Sequence, residues 1–127
     1  MQSMQIFISK AFRKESEDIF EYIYSKYISG AVKCKNGMSQ YINTLKKFPY
    51  IGRYIPEISD KSYKERIYTN YRIVYQILKK LQLVYIHFIV HSKMDFLEYY
   101  KLYIKRRGKY EKERKNNKHV RKQNGSR

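Results

Sequence analysis

An α+β fold is predicted from this sequence: an N-terminal strand, then a helical hairpin packed on a small, mostly antiparallel sheet, in the order β-α-α-β-β-β-α. Three observations carry that prediction. Two stretches of helical hydrophobic periodicity stand side by side between residues 10 and 47, parted by Ser29-Gly30. Three strand-like runs follow between residues 63 and 90, joined by turns of two and four residues. Past residue 104 aliphatic residues almost vanish, so the core must be complete before that point.

Met4 to Ser9 alternates weakly and reads as the first strand. Ser9 then caps a helix opening near Lys10, because its hydroxyl can accept from an N–H of the first turn that has no partner within the helix. Phe12, Ile19, Phe20, Ile23 and Tyr27 form its apolar stripe, with Arg13, Lys14, Glu15, Glu17, Asp18 and Glu21 outside. Ser29-Gly30 is expected to end it. A second helix, about Ala31 to Lys47, places Ala31, Cys34, Met38, Tyr41, Ile42 and Leu45 on one face. Asn36-Gly37 inside it costs about 1 kcal/mol relative to alanine and marks a site for a kink. Phe48-Pro49 stops the helix, since a residue before proline is pushed out of the α region.

Residues 50–61 carry Gly52, Pro56 and Ser59-Asp60-Lys61 in no regular pattern and read as a loop. Tyr63–Tyr68 and Tyr71–Leu78 are strands around a Thr69-Asn70 turn, where Asn suits the left-handed backbone of a tight hairpin. Lys79-Lys80-Leu81-Gln82 turns the chain again. Leu83–Val90 is apolar almost throughout, as a central strand covered on both faces would be. Residues after Asp95 suggest a short helix. Residues 1–104 thus read as one domain, and residues 105–127 as a basic tail that stays disordered until bound.

Charge narrows the partners. The 127 residues carry 28 Lys or Arg against 11 Asp or Glu, a net charge of +17. The tail from residue 105 holds eleven cations and two Glu, yet the preceding domain is also basic by eight charges. Such a field favours polyanionic partners such as nucleic acid or an acidic protein segment. No apolar run approaches the roughly 20 residues that span a bilayer, and the N-terminus has no signal-like apolar segment. A membrane partner is therefore not expected. The single Cys34 forms no internal disulfide and reads as a small core residue of a cytoplasmic protein.

Several residues have chemistry to offer. Arg72, in the second strand of the hairpin, sits on the face opposite Ile73 and Tyr75 if those two face the core. There it can clamp a phosphate bidentately or pair with a carboxylate. Arg53 follows Gly52 in the loop, and Lys61, Lys64 and Arg66 add charge close by; Lys93 extends the set beyond the last strand. Together these six residues are candidates for contacting nucleic acid or another target. His91, at the end of the last strand, has the imidazole a general base or acid needs, though strand-end histidines also serve structure. Metal-free RNA cleavage needs a base, cations for the developing phosphorane charge and an acid; Arg53, Arg72, His91 and Tyr99 or Tyr100 are residues of those types. His87 and His91 lie four apart on a strand, about 13 Å by strand rise, too far to share an ion. No metal, cofactor or small-molecule substrate is expected, and neither a Gly-rich phosphate loop nor a nucleophile elbow is present.

Leu45-x-x-Phe48-Pro49-x-x-Gly52-Arg53, Pro56-Glu57, Lys64-Glu65-x-Ile67 leading into Tyr71-Arg72-Ile73-Val74-Tyr75, and Val90-His91-x-x-Met94-Asp95 occur in this order over about residues 4–98. In that order and spacing the chain resembles the RelE/ParE superfamily of type II toxin–antitoxin toxins. The resemblance implies a helical hairpin on an antiparallel sheet, in agreement with the pattern above. It also implies a cognate antitoxin whose acidic or amphipathic segment wraps the toxin. Two activities follow from it as alternatives: ParE-like inhibition of DNA gyrase, or RelE-like, ribosome-dependent cleavage of mRNA with Arg53, Arg72 and His91 at the site. The segment His91-Ser92-Lys93-Met94-Asp95 looks more like the ParE branch. A third reading is an inactive relative that binds nucleic acid. One departure stands out: Lys64 occupies the place of the arginine usual before Glu65 and offers a point charge instead of a fork.

Overall fold

The computed structural model describes residues 3–107. The chain divides into two compact units, Met1–Ser92 and Lys93–Arg127. In the first, β1 (Gln5–Ile8), α1 (Lys10–Lys26), α2 (Ile28–Asn43), β2 (Arg53–Tyr54), β3 (Tyr63–Tyr68), β4 (Tyr71–Leu78) and β5 (Leu83–His91) follow in order. The strands form one sheet, β1-β5-β4-β3-β2, with β1 parallel to β5 and the remaining neighbours antiparallel.

Ser9 ends β1 and caps α1: its Oγ accepts from the Phe12 N–H at 3.0 Å and donates to the His87 carbonyl of β5. The same residue's N–H donates to the Ile86 carbonyl, so the strand-to-helix corner is pinned from both sides. The break between the helices falls at Tyr27, not at Ser29-Gly30. Tyr27 takes extended angles, φ −161° and ψ 98°, and Ser29 and Gly30 lie in the first turn of α2. Unpaired N–H groups are normal in that turn, so glycine costs little there. Gly30 is needed for another reason: a β-carbon on it would come 2.5 Å from the Tyr27 ring.

At Gly37, inside α2, the expected kink is replaced by a close approach. A side chain there would collide with the Tyr68 hydroxyl. The helix gives up some propensity so that α2 can lie close on β3. A 3₁₀ turn at Thr44–Lys46 finishes the segment and buries Leu45.

Phe12, Met38, Ile42 and Leu45 pack on Ile73, Tyr75, Ile77, Val84, Ile86 and Ile89. Each such side chain contributes about 1.5–3 kcal/mol when fully buried. Ile73 and Tyr75 therefore face the helices, and Arg72 and Val74 face away, as period two requires. β5 lies between β1 and β4, with Val84, Ile86 and Phe88 fully buried. Between Val74 and Tyr75 the β4–β5 register shifts: Val74 faces Phe88 but Tyr75 faces Ile86, so His87 is the extra residue of a bulge. In the hairpin turn Thr69, rather than Asn70, has the positive φ, 50°. At the next turn a 3₁₀ segment, Lys79–Leu81, ends on Gln82 in the left-handed region.

The second unit is a helix, α3 (residues 96–107), and the residues leading into it. Asp95 caps it, its Oδ1 accepting from the Glu98 N–H at 3.1 Å. Phe96 and Tyr103, seven residues apart, are buried, and the Phe96 ring stacks on Tyr100 at 6.3 Å. The helix passes the compositional boundary at residue 104; residues 108–127, and the disorder expected of them, lie outside the described residues. No helix among the described residues is long and apolar enough to cross a membrane.

Candidate functional site

On the sheet face turned away from the helical hairpin, Glu65 of β3 is completely buried between two arginines. Arg53 Nε donates to its Oε2 at 2.7 Å, and Arg72 Nε donates to its Oε1 at 2.5 Å. Arg72 also holds Glu57 by a fork, Nη1 to Oε2 at 3.0 Å and Nη2 to Oε1 at 2.8 Å. Two cations meet two carboxylates here, and the Arg72 side chain is only 11% exposed. A phosphate would have to displace a carboxylate to reach it. Burial alone would lower the Arg72 pKa, but hydrogen bonds and charge from Glu57 and Glu65 outweigh burial and raise it. The cluster fastens the 53–57 loop to the sheet.

The remaining candidates are distributed differently. Directly opposed residues of neighbouring antiparallel strands share a face. Tyr71 opposes His91, so the imidazole lies on the helix side, edge-on to the Tyr71 ring at 5.3 Å. Arg72 is on the other side. Arg53 and Arg72 thus converge on one carboxylate, while His91 does not join them. Arg66 Nη1 donates to the Tyr41 carbonyl at 2.8 Å and to the Thr44 hydroxyl, with its guanidinium 3.6 Å above the Tyr41 ring. That arginine ties β3 to the end of α2. Lys64 and Lys61 converge instead on Tyr54, their ammonium groups 4.0 and 4.7 Å from the ring centre. Lys93, Tyr99 and Tyr100 belong to the second unit, Lys93 exposed and the two tyrosines half-buried.

Tyr75 fixes the loop that carries these groups. Its hydroxyl donates to the Pro49 carbonyl at 2.8 Å and accepts from the Gly52 N–H at 3.0 Å. Burial pushes its phenol up to about 12, with the Gly52 N–H pulling the other way, so it remains a donor. Burial likewise raises the Cys34 thiol, which packs against the core as a small apolar residue.

A groove of about 520 Å³ opens between β1, α1 and α2. Phe12, Phe20, Met38 and Ile42 give it apolar walls, and Arg13, Lys35 and Lys46 also line it. None of its lining residues is acidic. The bias is wider than the groove: from residue 22 to residue 56 the chain has six Lys or Arg and no Asp or Glu.

Residues 6–96 match the family model described as the ParE toxin of the type II toxin–antitoxin system, parDE. The chain belongs to the ParE toxin family. No curated protein sequence shows significant similarity to it. Among solved structures, a free-state double arginine-to-alanine variant of the Escherichia coli toxin RelE is similar at a TM-score of 0.55 and 14% identity, over 82% of this chain and 97% of that one. The RelBE2 toxin–antitoxin complex of Mycobacterium tuberculosis is similar at a TM-score of 0.47 and 14% identity, over 70% of this chain and 98% of that one. At that identity the RelE likeness establishes a shared fold. This ParE-family chain is a toxin of a type II toxin–antitoxin system.

From the sequence, Glu57 and Glu65 were seen only as motif positions with no role, and Tyr50 and Tyr54 were not singled out. One of them was within reach. A two-residue turn at Thr69-Asn70 sets Ile67 opposite Arg72 and Glu65 opposite Val74, which puts Glu65 diagonal to Arg72 on the same face.

The cluster has a pH signature. The Glu57 carboxyl is held below its ordinary value, chiefly by the Arg72 hydrogen bonds, against its own partial burial. A carboxyl lowered on folding stabilises the fold above its unfolded value, about 4.3, and that contribution is lost as pH falls through the folded value. Asp60, lowered by hydrogen bonds from Ser62, acts in the same direction. Urea midpoints should therefore be flat from neutrality to about pH 5 and drop below about pH 4. Glu57→Gln should flatten the acid limb; an unchanged limb would show that the Glu57–Arg72 fork does not contribute.

Proposed function

We propose that this toxin is a ParE-like inhibitor of DNA gyrase in the cytoplasm, acting by binding and not by cutting RNA, within a plasmid-stabilisation module. The observation that carries the reading is the placement of the candidate nuclease groups. Arg53 and Arg72 are engaged by Glu65 and Glu57 on one sheet face, and His91 lies on the other. Cleavage of RNA without metal needs base, cation and acid within reach of one phosphate. These residues are not so arranged. A binding surface needs no such convergence.

The cognate antitoxin has a site whose chemistry suits it. A helix with one apolar face and acidic flanks fits the apolar walls and the three cations of the groove. The acid-free stretch from residue 22 to 56 favours the same partner. Gyrase supercoiling with the purified full chain is the test. Micromolar toxin should block supercoiling, and the acidic product of an adjoining reading frame should restore it. Undisturbed supercoiling together with ribosome-dependent mRNA cleavage would overturn the proposal in favour of a RelE-like nuclease.

A further inference from the structure

We propose that the sheet corner built by Tyr54, Lys61 and Lys64, with Tyr50 and Lys79 beside it, binds single-stranded nucleic acid. The phosphates lie against the exposed Lys61 and Lys79, with the buried Lys64 adding its charge from behind, and the bases against the open parts of the tyrosine rings. This surface is separate from the groove and from the arginine cluster, and its test does not depend on the identity of the toxin's target.

The charges at this corner are uncompensated. The Lys61 and Lys64 ammonium groups stand within 4.7 Å of the centre of a single ring. Lys64 is 6% exposed, and its Nζ donates to the Gly52 carbonyl at 3.1 Å, a neutral partner. Among the described residues no carboxylate pairs with either lysine. The nearby acids are already engaged: Glu57 by Arg72, and Asp60 by the N–H and hydroxyl of Ser62. Both charges lie close to one ring, so an anion that reaches the exposed Lys61 is attracted by both. Lys79 repeats the arrangement over Tyr50, at 5.6 Å.

The rings decide which anion. Tyr50 and Tyr54 are each 54% exposed, so part of each ring beside the lysines is open to a partner. A single strand offers unstacked bases to such rings and phosphates to the cations between them. A duplex offers only the phosphates. An acidic peptide offers carboxylates and nothing for the rings to stack on. The corner is also rigid, because Tyr75 holds the Pro49–Gly52 segment and Lys64 is bonded to it. Little ordering is left to be done on binding.

Fluorescence anisotropy of the full chain with short oligothymidylate, oligouridylate, a matching duplex and an acidic peptide tests the proposal. Tyr54→Ala should weaken single-strand binding by about ten-fold, within the range for loss of one stacked base, and leave duplex binding unchanged. Tyr54→Phe should retain the affinity. Lys61→Gln with Lys79→Gln should lower the slope of log affinity on log salt by roughly 1 to 2. All three positions are exposed, and unchanged circular dichroism would confirm the fold. A preference between the uridylate and thymidylate strands identifies the source as RNA or DNA. Equal binding of duplex and single strand with no effect of Tyr54→Ala would overturn the proposal and assign binding to general charge. Tighter binding of the acidic peptide than of either strand would overturn it in favour of a protein partner.

Discussion

Glu65→Ala should cost this fold about 3–5 kcal/mol, because it strands a buried guanidinium rather than deleting one contact. Glu65 is fully buried and accepts from both Arg53 and Arg72. Once it is removed, Arg53, with 60% of its side chain exposed, turns to water. Arg72, at 11%, cannot, and it loses the inner carboxylate while the outer one, Glu57, remains. For a domain of this size the loss corresponds to a melting temperature lower by about 15–30 °C. Against a typical total of about 5–15 kcal/mol, much of the population would unfold at growth temperature. Glu65→Leu combined with Arg72→Met separates charge from space filling. Removing both partners leaves no buried ion, and such replacements are commonly neutral or stabilising. The pair of substitutions should therefore recover most of what Glu65→Ala loses in urea melts. A single substitution costing less than about 1 kcal/mol, or a double variant as unstable as the single, would exclude this account of the cluster.

That cluster also marks where the sequence was legible and where it was not. Helical stripes and strand alternation located both helices and the three long strands, because each signal is local and set by the backbone repeat. β1 was legible from its own alternation, but its neighbour was not, because it adds to β5 in parallel across nearly eighty residues. β2 was read as loop: it is a two-residue strand defined only by its partners Glu65 and Lys64, and no local pattern encodes it. The helix boundary moved from Ser29-Gly30 to Tyr27, which takes extended angles, because Ser and Gly are tolerated in the first turn of α2, where N–H groups lack helical partners anyway. Arg72 was visible as a fork facing away from the helices, but Glu57, fifteen residues earlier in an irregular loop, was not visible as its partner. The bulge at His87 has no composition of its own; it appears only where β4 and β5 fall out of step. The ParE-family likeness was readable because it rests on spacing between turns and strands, which survives when the contacts themselves cannot be inferred.

Tyr75→Ala should produce a loss of similar size, about 3–5 kcal/mol for emptying the space of a buried aromatic ring. Its ring is 0% exposed, at the centre of the cluster shared by Phe12, Met38, Ile42 and Leu45. Tyr75→Phe isolates the hydroxyl. The ring stays, but the Pro49 carbonyl loses its donor and the Gly52 N–H loses its acceptor, at a cost of about 1–3 kcal/mol. Gly52→Ala attacks the same joint from the other side. A β-carbon there would lie 2.6 Å from the Glu65 carbonyl oxygen, which belongs to a strand and cannot retreat, and would also collide with the Tyr75 hydroxyl. Overpacking of that kind costs about 1–3 kcal/mol. Groups in direct contact do not lose stability independently, so Tyr75→Phe with Gly52→Ala should cost less than the two singles added. Additive losses in a urea-based double-mutant cycle would mean that the hydroxyl and the glycine do not form one joint. The functional consequence follows from position. The segment freed by these changes runs from Pro49 through Tyr50 and Gly52 to Tyr54, so Tyr75→Phe should blunt single-strand binding even where most of the protein remains folded.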